Sequence, residues 1–160
     1  MTAELVAFRK PAQGGDAEAL LAAAVELHAL VAIDPTLGAS PVRVCFVFNP
    51  EAKARITACL DPADPGRARP APAYALVAYD FPFALRLVEI AGRRIPRERV
   101  KAIVASSAGL QGDALRAAAD ALGVRARSAP AFDAGELKAA FFPDTQETVT
   151  HVFRLELQEP

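Results

Sequence analysis

The sequence predicts an α/β or α+β sandwich, one sheet with helices packed on it, in a single domain spanning residues 1–160. Three observations predict it. Short runs rich in β-branched and aromatic residues, at 42–48, 73–79 and 149–157, are separated by stretches with helical periodicity. The chain has 160 residues, of which 52% are hydrophobic and 23% charged, enough apolar material for one buried core. Finally, no internal repeat divides it, and its proline-rich stretch runs straight back into apolar sequence.

The elements follow in chain order. Asp16 is a good helix N-cap, and Leu20, Leu21, Ala24, Leu27, His28 and Val31 then recur at helical spacing. That helix should end near Asp34-Pro35, because proline disfavours helix in the residue before it. The run 42–48 is apolar on both faces apart from Arg43, which suits a central strand covered on both sides. Asn49 and Pro50 read as cap and first residue of a helix reaching about Leu60. Pro62, Pro65, Pro70 and Pro72, with Arg67 and Arg69 between them, make a stiff loop, and a second strand follows at 73–79. A short helix at 83–90 precedes a long one that starts at Pro96 and stops at Gly123. Its apolar stripe reads Val100, Ile103, Val104, Ser107, Leu110, Gln111, Ala114, Leu115, Ala118 and Leu122. An extended piece at 124–128, a helix near 133–141 and a last strand at 149–157 complete the chain. On that strand Val149, His151, Phe153, Leu155 and Leu157 should share a covered face, with Thr150, Arg154 and Glu156 on a wetter one.

Composition excludes several function classes. A net charge of −1 supplies no long-range field for nucleic acid or an acidic membrane, and with no tryptophan and two tyrosines stacking platforms are scarce. No signal peptide and no membrane-length apolar run can be read, so a cytoplasmic protein is expected. Cys45 and Cys59 have no motif spacing and read as reduced packing residues; no metal site is expected. His28 and His151 both lie on apolar faces, where a ring is more often a hydrogen-bonded packing residue than a catalyst. In the long helix, Gly109 and Gly112 lie beside Ser107 and Gln111. Each glycine costs about 1 kcal/mol in a helix interior, which close approach of another helix, as across a dimer interface, or of a flat ligand would offset. The turn holding Thr36, Gly38 and Ser40 is either a connector or a ligand cradle at the mouth of the first strand.

Four blocks, in order, resemble the nitroreductase family, nearest its malonic semialdehyde reductase (3-hydroxypropanoate dehydrogenase) branch. They are P35-T-L-G-A-S-P-V-R-V-C-F-V-F-N-P-E-A-K-A-R55, L60-D-P-A-D-P-G-R-A-R-P-A-P-A-Y-A-L-V-A-Y-D80, L110-Q-G-D-A-L-R-A-A-A-D-A-L-G-V124 and F132-D-A-G-E-L-K-A-A-F-F142. The resemblance implies an α+β fold with a mixed central sheet flanked by helices, and an intertwined homodimer. It also implies flavin mononucleotide (FMN) at the dimer interface, reduced by NAD(P)H and passing hydride to a small acceptor. Cofactor contact would fall to Pro35, Thr36, Leu37 and Ser40 of the opening turn, Ser107 and Gln111 of the long helix, and Arg127, Ser128 and Ala129. No catalytic residue is assigned, and no nucleic-acid or membrane partner is implied.

The departures point to a shortened, degenerate member. Only Arg9-Lys10 precede the first helix where the family has an arginine-rich phosphate grip. Leu37 replaces a serine, and the family's Gly-Pro-Met-Ser-Gly turn has become R127-S-A-P-A131, losing both glycines that let a backbone approach a flat ring. The expectation is therefore an eroded flavin site on a binding or regulatory dimer, with a minimal FMN-dependent NAD(P)H oxidoreductase as the alternative.

Overall fold

The computed structural model describes residues 41–158. The helix expected after Asp16, His28, and the turn carrying Pro35, Thr36, Leu37 and Ser40 lie outside the described residues.

The described elements are β1 (Val42–Val47), α1 (Pro50–Cys59), a 3-10 turn (Pro65–Arg67), β2 (Ala73–Asp80), α2 (Phe81–Ile90), α3 (Arg97–Ala121), β3 (Val124–Ser128), α4 (Ala134–Phe141) and β4 (Glu147–Leu157). Local chemistry sets most boundaries. Asn49 caps α1, its Oδ1 accepting from Glu51 N at 2.8 Å, with Pro50 at the first helical position. Asp80 and Asp133 do the same for α2 and α4, accepting from Phe83 N and Glu136 N at 2.9 and 3.0 Å. Gly123 follows the end of α3 with φ +75°, a left-handed conformation that glycine adopts without strain.

The strands form a sheet of order β1-β2-β4-β3 in which every pairing is antiparallel. The α+β class is as expected. The mixed pairing is not seen among the described strands, and β1, expected at the centre, lies at an edge of this sheet. It is nevertheless covered on both faces: Val42, Val44 and Phe46 join a core shared with α2 and α3, while Cys45 and Val47 join one shared with α1 and α4. The exception, Arg43, is accounted for. Its Nε donates to Oε2 of buried Glu147 at 2.7 Å, Nη2 lies 2.6 Å from Oε1, and the guanidinium covers the Phe142 ring.

Two expected faces are corrected. The register shifts between Val77, opposite His151, and Ala78, opposite Val149, so Thr150 is an extra residue and β4 bulges there. Side chains before and after a bulge fall out of alternation. Val149 therefore packs with Val152 against α1 and α4, whereas Phe153 and Leu155 face α3, and both sides of β4 carry buried residues. Thr150 Oγ1 lies 3.2 Å from Val77 O and 2.9 Å from His151 Nδ1, bridging the disrupted ladder.

The predicted stripe on α3 is likewise two stripes. Val100, Val104, Ala108, Gly112, Leu115 and Ala119 are buried, whereas Ile103 and Leu110 are 44% and 69% exposed. Small residues, Ala108, Gly112 and Ala119, share the inward line with Val100, Val104 and Leu115 because the helix lies close to the sheet. A Cβ on Gly112 would stand 3.3 Å from Phe153 Cζ. Gly112 is thus a contact within the chain, while the Cβ direction of Gly109 is open.

Candidate ligand-binding site

The proline-rich loop and the end of β3 build a cavity together. Asp64 caps the 3-10 turn, Oδ1 accepting from Gly66 N at 2.8 Å. Arg67 turns away toward α1, Nη2 donating to Ala58 O at 3.3 Å. Arg154, reaching from β4, clamps the loop: Nη1 donates to Gly66 O at 2.8 Å and Nη2 to Arg69 O at 2.6 Å. A side chain at position 66 would collide with that guanidinium, which explains the glycine. Arg154 also lies 3.5 Å from the carboxylate of Glu156.

Between the clamped loop and β3 lies a cavity of about 370 Å³, lined by Asp64, Arg69, Arg127, Ser128, Ala129 and Arg154 among others. Ligand pockets commonly run upward from ~300 Å³. The register sets Arg127 directly opposite Arg154 and Arg125 opposite Glu156. Ala129 is buried, and its N–H donates to Val152 O at 2.8 Å. Oδ2 of Asp64 is buried without a hydrogen-bond partner among the described residues.

Of the expected cofactor contacts, Arg127, Ser128 and Ala129 meet at this cavity. Arg127 and Ala129 alternate with Val124 and Ala126, which face α3, so they point to the other side of the sheet. Ser107 and Gln111 are half-buried on α3, across the sheet from them. Sequence reasoning missed Asp64 and Arg154, while Arg69 was open as one of three arginines, with Arg67 and Arg127, able to replace the family's phosphate grip. The readable signals were an arginine on the wetter side of the last strand and a glycine inside an arginine-bearing proline loop.

Two other reactive groups sit elsewhere. Burial pushes the Cys59 thiol pKa up, with Glu136 and Asp133 adding and Arg67 opposing; it lies in a second groove, of about 640 Å³, between α1 and α4. His151 stacks on Phe153 with ring centroids 5.9 Å apart, and burial lowers its pKa, Asp113 opposing and Arg116 adding to the shift. Neither lines the arginine cavity. Among the described residues no group of three or more His, Cys, Asp or Glu could hold a metal ion, and no helix is long and apolar enough to cross a membrane.

No family model matches the chain. Relatives and solved structures do. A Ralstonia nicotianae protein named for NADH dehydrogenase/NAD(P)H nitroreductase is 32% identical over 137 residues, covering 81% of this chain and 70% of the relative. A Rhodopseudomonas palustris protein of the same name is 35% identical over 126 residues, covering 74% of this chain and 64% of the relative. The chain thus matches about two-thirds of these relatives' length. Among solved structures, a nitroreductase family protein from Streptococcus pneumoniae superposes with TM-score 0.68 at 15% identity, over 98% of this chain and 90% of that one. A Staphylococcus epidermidis protein whose name gives it as an NAD(P)H:FMN oxidoreductase superposes with TM-score 0.65 at 14% identity, over 87% of this chain and 77% of that one. The identity to the Ralstonia relative, carried on the same fold, establishes that this chain belongs to the nitroreductase family.

Proposed function

We propose that this chain is a nitroreductase-fold protein whose flavin site has eroded, and that it works as a small-ligand-binding dimer. The observation that carries the reading is the state of the 127–131 turn. The family turn, by resemblance, offers glycine backbone to a flat ring. Here Arg127 lines the cavity, and the Ala129 N–H is already donated to Val152 O. A bound flavin phosphate also needs cationic or N–H partners, each charge-assisted bond contributing roughly 1.5–3 kcal/mol. Arg67 and Arg154 are already engaged with backbone carbonyls, which leaves Arg69 and Arg127 as the cationic groups facing the cavity. It is the flat ring of FMN that these residues fit poorly, with Arg127 in the place of the glycine, and no reaction step is assigned through it.

The alternative, a minimal FMN-dependent NAD(P)H oxidoreductase nearest the malonic semialdehyde reductase branch, draws on one observation. Oδ2 of Asp64 is buried, unpartnered and beside the cavity, where the N–H of a flavin's pyrimidine edge would satisfy it. The names of the relatives favour the same reading.

A second copy completes the proposal. Ile103 and Leu110 on the outward side of α3, beside the open Gly109, form an apolar strip next to Ser107. Pairing through this strip would bring Ser107 and Gln111 of one protomer toward the partner, which one chain alone does not achieve.

One measurement separates the two readings: the visible absorption spectrum of the purified protein before and after titration with FMN. We expect a colourless protein with no saturable binding below about 100 μM. A yellow protein that retains flavin through gel filtration would overturn erosion and establish the oxidoreductase reading.

A further inference from the structure

We infer that the cavity between the 64–69 loop and the end of β3 is a binding site for a small molecule carrying a carboxylate or phosphate group. The inference deepens the eroded-site reading, naming the ligand class that would take the flavin's place, and rests on it to that extent.

The register is the first observation. Arg127 and Arg154 are direct cross-strand neighbours on one face, and like charges directly opposite are destabilising unless something neutralises them. Arg69 approaches the same space from the loop. The partner inventory is the second. Arg154 is engaged by the carbonyls of Gly66 and Arg69 and by the Glu156 carboxylate. Asp64 spends Oδ1 on Gly66 N, and its Oδ2 has no hydrogen-bond partner among the described residues, arginine included. The side chains of Arg69 and Arg127 have no hydrogen bond or ion pair among the described residues, although both acids line the same cavity.

Two unengaged guanidinium groups therefore line a concavity of about 370 Å³ in which neither acid pairs with them. A guanidinium offers paired N–H donors that match the two oxygens of a carboxylate or phosphate. The clamp formed by Arg154 supplies rigidity, because it ties the Arg69 backbone to β4 and fixes one wall relative to the other. The negative Asp64 end directs the anion toward Arg127. By resemblance Arg127 stands where the family has glycine.

The test is isothermal titration of the full chain with inorganic phosphate and, separately, malonate, at ionic strength held constant with chloride. Thermal unfolding in the same series is the second readout. We expect saturable millimolar or tighter binding of at least one anion, weakened tenfold or more by Arg127→Gln and by Arg69→Gln. The tighter of the two anions assigns phosphoryl or carboxylate chemistry. Arg125→Gln is the control: it removes the same charge from the same strand but does not line the cavity, and should change affinity less than twofold. Binding of neither anion would overturn the proposal, and so would equal weakening by Arg125→Gln, which would mark diffuse attraction. A flavin-retaining protein that still binds anion would sink erosion and leave this site standing. A colourless protein indifferent to both anions would do the reverse.

Discussion

Gly112 and Gly109 lie three residues apart on one helix, yet they do different work. The Cβ of any residue at 112 would press on the Phe153 ring, whereas position 109 opens outward. Gly112 is therefore taken up by packing within the chain, and the proposed dimer contact falls on the other side of α3. Gly112→Leu should destabilise the protomer itself by about 1–3 kcal/mol through overpacking, read as a lower urea midpoint. A variant with unchanged stability and a weakened dimer would restore the original assignment. His151 carries a second prediction at this scale. Its folded pKa is lowered, so as pH falls below the unfolded value the unfolded chain binds a proton that the folded one resists. Stability is fully present above about pH 6.5, the ordinary histidine value, and is lost on acidification until the folded group also titrates. The groups around the ring are Thr150, Asp113, Arg116 and Phe153. Melting temperature should fall between pH 7.5 and 5.5, and His151→Gln should flatten that slope; equal slopes would show that other groups control it.

At the scale of elements, β1 separates two properties that the sequence had joined. An unbroken apolar run signals cover on both faces, and that is what β1 has. It does not signal a central position, because cover can come from helices above and below without a strand on each side. Phe46→Ala should accordingly cost about 3–5 kcal/mol despite the edge position, because the ring is fully buried in the α3-side core. Reversible denaturation giving a loss under about 1 kcal/mol would show that the core on that side is loosely packed. The bulge at Thr150 has comparable weight. One extra residue hands Val149 to the α1–α4 core and leaves Phe153 to the α3 core, so a single alternation cannot describe the strand.

For the whole molecule, the proposed dimer and the arginine cavity lie on opposite sides of the sheet within one chain. If the outward strip of α3 is the contact, Leu110→Glu should give a monomer by light scattering at micromolar concentration with the melting temperature nearly unchanged. The side chain is 69% exposed within the protomer, so the charge disturbs only a contact between copies. A wild-type monomer under the same conditions would remove the dimer from the proposal, and the cavity would then have to act within one chain.

The α+β class, the order of the elements and most of their ends could be read from local sequence. These rest on local physics: asparagine and aspartate caps, prolines at helix starts, glycine after α3, and apolar runs of strand length. The sequence also carried, through four blocks in order, the resemblance that the relatives bear out as family membership. Which strand lies at the edge, where β4 bulges, and which side of α3 meets the sheet emerged from the folded chain. The last was hidden because a helix pressed against a sheet selects alanine and glycine, which a search for large apolar residues passes over. The cavity was hidden for a related reason. Asp64, Arg69, Arg127 and Arg154 are far apart in sequence, and their meeting depends on strand register and on one arginine holding two loop carbonyls. Local propensity carries no record of such long-range pairing. The arginines could be counted in the sequence, but which of them were already engaged could be read only once the chain had folded around them.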